Sequence, residues 1–249
     1  LEFEAWTDDW FARKNSGKWE TAPEYGLAHR GVICLQDHGY PASFRNLKVK
    51  ELPRKAGREV DLFNGKNLDG WTPFADGLAD ASSVFSVQNG VIRVQGKPFG
   101  FIRTNKKYSD FRLHVEWKYP RESINSGIFL FVQEDMKLWP NAVECQLMKG
   151  KVGDFVLLGG SNIAEFKLPA GAERPKFPVV KRFGESNENP AGEWNNADII
   201  CKDGSITVFI NGTLQNKATG SSNKSGYIAL QSEGGEIHFR NVRLTPLED

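Results

Sequence analysis

The property that most constrains this chain is a hydrophobic period of two. From Phe111 to Tyr119 the residues Phe111, Leu113, Val115, Trp117 and Tyr119 alternate with Arg112, His114, Glu116 and Lys118, as a strand reads when one face packs a core and the other does not. The alternation recurs over 84–94, 128–133, 142–148, 197–202, 206–211, 227–231 and 237–244. Between such runs stand Asn89-Gly90, Asp203-Gly204, Asn211-Gly212 and Glu233-Gly234-Gly235, residues that tolerate the positive φ of tight hairpins. Short strands, hairpin turns and no long amphipathic helix between them predict an all-β, antiparallel jelly-roll sandwich. Trp6 to Lys18 reads as a short helix or irregular loop. Gly159 to Asn189 reads as long loops, which in a compact domain are usually functional or mobile.

Charge and composition remove other classes. The chain holds 32 Lys and Arg against 31 Asp and Glu, divided 9 against 8 before Gly57 and 23 against 23 after it. Neither part has the basic field that nucleic-acid binding needs. No run approaches the 18 or so apolar residues of a membrane span, and no signal-peptide pattern opens the sequence. Oligomeric state leaves no mark in it. Cys34, Cys145 and Cys201 form an odd set without CxxC spacing, each inside an alternating run; this predicts buried thiols rather than zinc ligands or disulfides. Asn211-Gly212-Thr213 formally matches a glycosylation acceptor but reads better as a hairpin turn.

An internal repeat sets the expected organisation. Residues 31–52 read GVICLQDHGYPASFRNLKVKEL and residues 226–247 read GYIALQSEGGEIHFRNVRLTPL. Without a gap, 9 of these 22 positions are identical: Gly31, Ile33, Leu35, Gln36, Gly39, Phe44, Arg45, Asn46 and Leu52. The second copy closes the chain. By analogy, residues 1–53 are expected to be the C-terminal end of an upstream homologous domain, with its copy of the repeat forming two strands. A linker over 54–58 and a jelly-roll domain over 59–249 follow. The alternative is that both copies are hairpins of one sandwich.

Strand phase also sorts the polar residues. If Val143, Cys145 and Leu147 face the core, Glu144 and Gln146 share the opposite face, as do Arg112, His114 and Glu116 on their own strand. Both sets fit a solvated outer face. The Glu144–Gln146 pair, set between apolar neighbours after the Trp139-Pro140 loop, is the better functional candidate. Trp117 is in phase with the core. Arg240 and Asn241, repeated as Arg45 and Asn46, are expected to satisfy backbone groups at the sandwich edge.

Several motifs occur together in a fixed order: Asp61 to Trp71 (DLFNGKNLDGW), Tyr108 to Phe111 running into Glu116-Trp117, Asn125-Ser126-Gly127-Ile128, Glu144-Cys145-Gln146, Glu193-Trp194-Asn195 and Gly226 to Asn241. In this the chain resembles the 3-keto-disaccharide hydrolase-like domain family over essentially all of 59–249. The resemblance implies a concanavalin A-like jelly roll, exported to the periplasm or cell exterior, that acts on glycosides oxidised at the sugar 3-position. The family's closing motif Leu-Gln-Asp-His-Gly is kept at Leu35 to Gly39, whereas the complete domain has Leu230-Gln231-Ser232-Glu233-Gly234. Phe131 stands where many relatives carry Arg.

The implied chemistry makes defined demands. A ketone at C3 acidifies the C2 proton, so the glycosidic bond can break by elimination and hydration completes a net hydrolysis. This needs a base and a group that stabilises the enolate, not the spaced carboxylate pair of an ordinary glycosidase. Glu144 is the expected base, its pKa raised by burial. Arg103, His114 or a divalent cation are candidates to stabilise the oxyanion, although no spacing diagnoses a metal. Glu116, Asn125, Gln146, Gln231 and Glu233 are the candidate contacts to an oligosaccharide or keto-disaccharide. Trp71, Trp139 or Trp194 would stack on a sugar face. A non-catalytic carbohydrate-binding module is the competing reading.

Overall fold

A computed structural model describes residues 8–14, 16–22, 25–26, 32–49, 57–78 and 80–247. The chain divides into two compact units, Leu1–Lys55 and Ala56–Asp249. The second unit is all β. Its strands are β1 (Val60–Asp61), β2 (Trp71–Ala75), β3 (Phe85–Gln88), β4 (Val91–Val94), β5 (Gly100–Thr104), β6 (Phe111–Lys118), β7 (Gly127–Val132), β8 (Ala142–Gln146), β9 (Phe155–Leu158), β10 (Val179–Val180), β11 (Asn195–Lys202), β12 (Ser205–Ile210), β13 (Thr213–Ala218), β14 (Tyr227–Ser232) and β15 (Ile237–Pro246). They form two antiparallel sheets. One runs β13-β12-β11-β6-β15-β4-β3, with β1 also on β15; the other runs β10-β9-β8-β7-β14-β5-β2. This is the predicted jelly-roll sandwich, and every alternating run of the sequence lies in it.

The core fills the space between the sheets. Leu113, Val115 and Trp117 from β6 meet Ile128, Leu130, Val143, Cys145 and Leu230 from the second sheet. A smaller apolar cluster covers the far side of that sheet: Phe101, Phe129, Ala142, Val156 and Leu158, with Trp139 and Phe177 packed on it from the loops. The strands β7, β8 and β9 therefore have both faces covered, which is why β9 is buried throughout and shows no alternation. The turns at Asn89-Gly90, Asp203-Gly204 and Asn211-Gly212 all have paired positive φ, from 46° to 78°, the geometry of type I′ hairpins. Residues 159–178 and 181–194 carry no regular element, as expected of the long loops.

Phe131 departs from regular phase. Its φ is 56°, unusual for an aromatic residue, and the pairing of β14 with β7 shifts register beside it. The bulge sends Leu130 and Phe131 both into the inter-sheet core, where Phe131 meets Phe111 edge-on at 5.9 Å between centroids.

In the first unit, the segment Trp6–Lys18 contains a short helix, Asp8–Lys14, and a 3-10 turn begins at Gly17. Residues 32–49 carry no strand, in place of the two strands expected; Gly31, residues 50–52 and residues 54–56 of the expected linker lie outside the described residues. Residues 32–49 are exposed throughout, and strands that bury no face on a core have little to hold them. Cys34 is exposed, a correction to its expected burial, while Cys145 and Cys201 are buried thiols. The segment nevertheless keeps the backbone kinks of its counterpart: φ is 84° at Gly39 and 88° at Gly234, 54° at Asn46 and 49° at Asn241.

Candidate active site

Register carries one row of side chains across the outer face of the second sheet. Arg103, Ala229, Phe129, Glu144 and Val156 are successive cross-strand partners on β5, β14, β7, β8 and β9. The next row places Phe101 against Gln231 and Gly127 against Gln146. Glu144 and Gln146 thus share one face, as strand phase predicted, and Gln231 lies on the same face. Over it the loops enclose a groove of about 380 Å³ lined by Asn125, Trp139, Glu144, Gln146 and Glu233 among others, within the usual size of a small-ligand site.

Glu144 is the groove's least compensated group. It is only 2% exposed, and its Oε1 is sealed from solvent without a hydrogen-bond partner. Burial, and then the charge of Glu233, push its pKa well above the ordinary carboxylate value. Glycine at 127 is what lets the carboxyl lie there: a Cβ on Gly127 would stand 2.2 Å from that Oε1. Glu233 sits differently. Gln231 Nε2 donates to its Oε2 at 2.7 Å and the Asn125 side chain donates to it as well. Burial raises the Glu233 pKa and these two bonds draw it back. The Oε1 of Gln146 accepts from the backbone N–H of Leu147 and Met148, both at 3.1 Å, which fixes the amide.

The remaining predicted residues divide by sheet. Gln231 lies behind Glu233 as its support. Arg103 shares the row of Glu144 but three strands away, roughly 14 Å at ordinary strand spacing. Its guanidinium stacks 4.0 Å from the centroid of Tyr227 and donates to the carbonyls of Gln133 and Glu134, so it does not line the groove. His114 and Glu116 are corrected more sharply. They alternate with core residues of β6 and face outward from the opposite sheet, so the sandwich core lies between them and Glu144. Trp194 is also on that side, beneath the guanidinium of Arg240 at 3.9 Å. Trp71 is core, its Nε1 donating to Leu62 O. Of the tryptophans proposed, Trp139 lines the groove, edge-on to Phe177 at 5.2 Å between centroids. Arg240 and Asn241 bond the Glu116 carboxylate at 2.6 and 2.7 Å rather than backbone groups at an edge.

Sequence reasoning missed Lys151, Lys181 and Phe177, which line the groove from loops without period. In the Asn125-Ser126-Gly127 motif the sequence singles out only Asn125, as a candidate sugar contact. The structure gives all three a role: Asn125 holds Glu233, the Ser126 hydroxyl donates to Gln231 O at 2.8 Å, and Gly127 leaves space for Glu144. Among the described residues no group of three or more His, Cys, Asp or Glu is placed to hold a metal. The groove's acidic end offers only hard oxygen donors.

Comparison with known proteins identifies the family. The profile of the 3-keto-alpha-glucoside-1,2-lyase-like domain matches residues 58–245. The chain belongs to this family. A relative named 3-keto-disaccharide hydrolase from Bacteroides thetaiotaomicron is 23% identical over 240 aligned residues, covering 80% of this chain and 81% of the relative. Among solved structures, a candidate glycosyl hydrolase from Parabacteroides distasonis is 24% identical with a TM-score of 0.57, over 77% of this chain and 94% of that one. Porphyranase B from Zobellia galactanivorans gives 14% and 0.51, over 76% and 91%. A carbohydrate-binding module from Bacillus subtilis gives 14% and 0.50, over 70% and 94%. This chain thus shares its sandwich with both an enzyme and a binding module, and the fold alone does not choose between these roles.

Proposed function

We propose that the 58–245 domain cleaves glycosides that carry a ketone at C3 of the sugar, by proton abstraction at C2, elimination across C1–C2 and hydration. The observation that supports this reading is the groove of the second sheet, where Glu144 and Glu233 stand together beside Gln146 and Trp139. Elimination next to a ketone needs groups that exchange protons and a partner for the enolate oxygen. The carboxyls meet the first need. The amide of Gln146, held by backbone donors to its oxygen, and the ammonium of Lys151 on the groove wall meet the second. A divalent cation at this end of the groove would have the carboxylates of Glu144 and Glu233 as its donors. The indole of Trp139 offers a stacking face for a sugar ring.

The reading includes action in the periplasm or outside the cell, as the family resemblance implies. No helix among the described residues is long and apolar enough to cross a membrane. Incubation with a 3-keto disaccharide and with its unoxidised parent tests the proposal. Release of free sugar from the keto form alone is expected, and Glu144→Gln should bind the keto sugar without turning it over. Binding of both sugars without turnover by the unaltered protein would assign a carbohydrate-binding module instead.

A further inference from the structure

Resting on that reaction, we propose that the two carboxyls of the groove divide it: Glu233 takes the proton from C2, and Glu144 gives its own proton to the departing glycosidic oxygen. The hydrogen-bond geometry is unequal in a way that sorts the two forms of a carboxyl. Glu233, partly open to solvent, accepts from two side-chain amides, Gln231 Nε2 at 2.7 Å and Asn125, and donors of this kind stabilise the ionised form. Those amides are themselves committed to the task. Their oxygens, Gln231 Oε1 and Asn125 Oδ1, are buried without partners, so each side chain is turned to present nitrogen to Glu233. Glu144 has the opposite environment. Its carboxyl is pressed over Gly127, its Oε1 receives no donor and no water reaches that atom. Such a site favours the neutral, protonated acid.

The internal repeat supplies an independent observation. The position matching Glu233 is His38, within Gln36-Asp37-His38-Gly39 against Gln231-Ser232-Glu233-Gly234. The two copies differ in the side chain but agree in chemistry, since imidazole and carboxylate are both side chains that serve as general bases. The preceding glutamine, which braces Glu233, and the following glycine with positive φ are unchanged.

The steps balance as follows. The Glu233 carboxylate takes the C2 proton, and the C2–H electron pair forms an enolate whose charge rests on O3. The enolate collapses to restore C3=O and form C1=C2 while the C1–O bond breaks. The leaving oxygen takes the Glu144 proton, giving an enone and a free alcohol. In hydration the now ionised Glu144 accepts a proton from the water that adds to C1, and Glu233 returns its proton to C2. Both carboxyls recover their starting forms, and no oxidant or reductant is consumed.

Two assays on the whole chain separate the roles. Exchange of the C2 hydrogen of a methyl 3-keto-glucoside in D2O, followed by NMR, reads the base alone. Cleavage of a 3-keto disaccharide, compared with a 3-keto 4-nitrophenyl glucoside, reads the need for an acid, because nitrophenolate leaves without a proton. Glu144→Gln should retain exchange and nitrophenyl cleavage within severalfold and lose disaccharide cleavage roughly a hundredfold or more. Glu233→Gln should lose all three activities while still binding the sugar, and Glu233→His should recover exchange, following the titration of its imidazole. Loss of exchange in Glu144→Gln with exchange intact in Glu233→Gln would overturn the division and leave the reaction standing. Absence of both exchange and cleavage in the unaltered protein would instead overturn the reaction itself.

Discussion

The two outer faces of the sandwich carry similar residues and treat them in opposite ways. On the first sheet the charges match one another. His114 Nδ1 lies 2.7 Å from Asp198 Oδ1, Glu116 is held by Arg240 and Asn241, and Glu236 is shared by Arg93 and His238 at 2.8 and 2.7 Å. On the second sheet Glu144 and Glu233 face one groove with no cation paired to either among the described residues. Asp154, which also lines the groove, is already bonded to Arg182. Paired charges on a sheet hold the sheet together. Unmatched carboxyls under loops cost stability, and an arrangement that retains such a cost is the expected mark of a site built for a ligand or a proton.

Removing one member of the matched set should produce the largest effect. Asp198 is 1% exposed, so Asp198→Ala leaves the His114 side strongly under-compensated. It should lower unfolding stability by about 3–5 kcal/mol, the usual cost of breaking a buried pair, without changing sugar affinity. The pair has a definite pH signature. Burial opposes a charge on His114, but the bonds to Asp198 and Glu116 outweigh it and raise its pKa to about 9. A histidine raised in the folded state contributes stability that is fully present below its unfolded value, about 6.5, and is lost as pH rises through about 9. Denaturation across that window should show the decline in the parent protein and a flatter profile in Asp198→Ala. A change in sugar affinity of tenfold or more would place this cluster in the site after all.

The unmatched face should respond with the opposite sign. Glu144 is raised in the folded state by burial and by Glu233, so folding is increasingly penalised as pH rises above the ordinary carboxylate range. Glu144→Gln keeps the shape and removes the titration. We expect it to be more stable than the parent at neutral pH by about 1–3 kcal/mol, with the advantage shrinking toward pH 4, as read by urea denaturation at several pH values. A variant less stable than its parent at neutral pH would show that Glu144 belongs with the matched charges.

Much of this contrast was legible in the residues, and the remainder was hidden for identifiable reasons. Alternation located β6, β8, β11, β12, β14 and β15 and placed Glu144 and Gln146 opposite the core. It did not locate β9 or β5, because Phe155 to Leu158 and nearly all of Gly100 to Thr104 are covered on both faces, nor β2, where Pro73 interrupts the pattern. Alternation also reports a face without saying which sheet owns it. His114 and Glu144 read alike in sequence and lie on opposite sides of the molecule. The choice among tryptophans failed to resolve for the same reason. The Glu193-Trp194-Asn195 motif, read as a site element, has a structural role at its asparagine: Asn195 Oδ1 accepts from the Asn189 N–H and from Asn211 Nδ2, tying a loop to a hairpin turn. The groove's lysines and Phe177 come from separate loops whose courses no period specifies.

The smallest expected effect tests the contrast through its aromatic residues. Trp139 and Trp194 are both partly buried and both come from loops. Trp194 already has its ring face occupied: the Arg240 guanidinium lies 3.9 Å and the Lys118 ammonium 5.0 Å from its centroid, so it acts as a lid on the matched charges. Trp139 meets Phe99 and Phe177 by their edges, at 6.4 and 5.2 Å, and lines the groove. A stacked ring adds on the order of 1 kcal/mol beyond the area it buries. Trp139→Ala should therefore weaken binding of a 3-keto disaccharide roughly tenfold, since about 1.4 kcal/mol is a factor of ten in affinity. Trp194→Ala should leave binding unchanged and cost a modest amount of stability through the loss of its cation contacts, about 0.5–1 kcal/mol. Calorimetric titration of both variants, each combined with Glu144→Gln so that the keto sugar is bound without turnover, reads the two affinities. Equal weakening by both substitutions would mean that the sugar reaches the opposite face, and the division of the molecule into a structural side and a functional side would have to be given up.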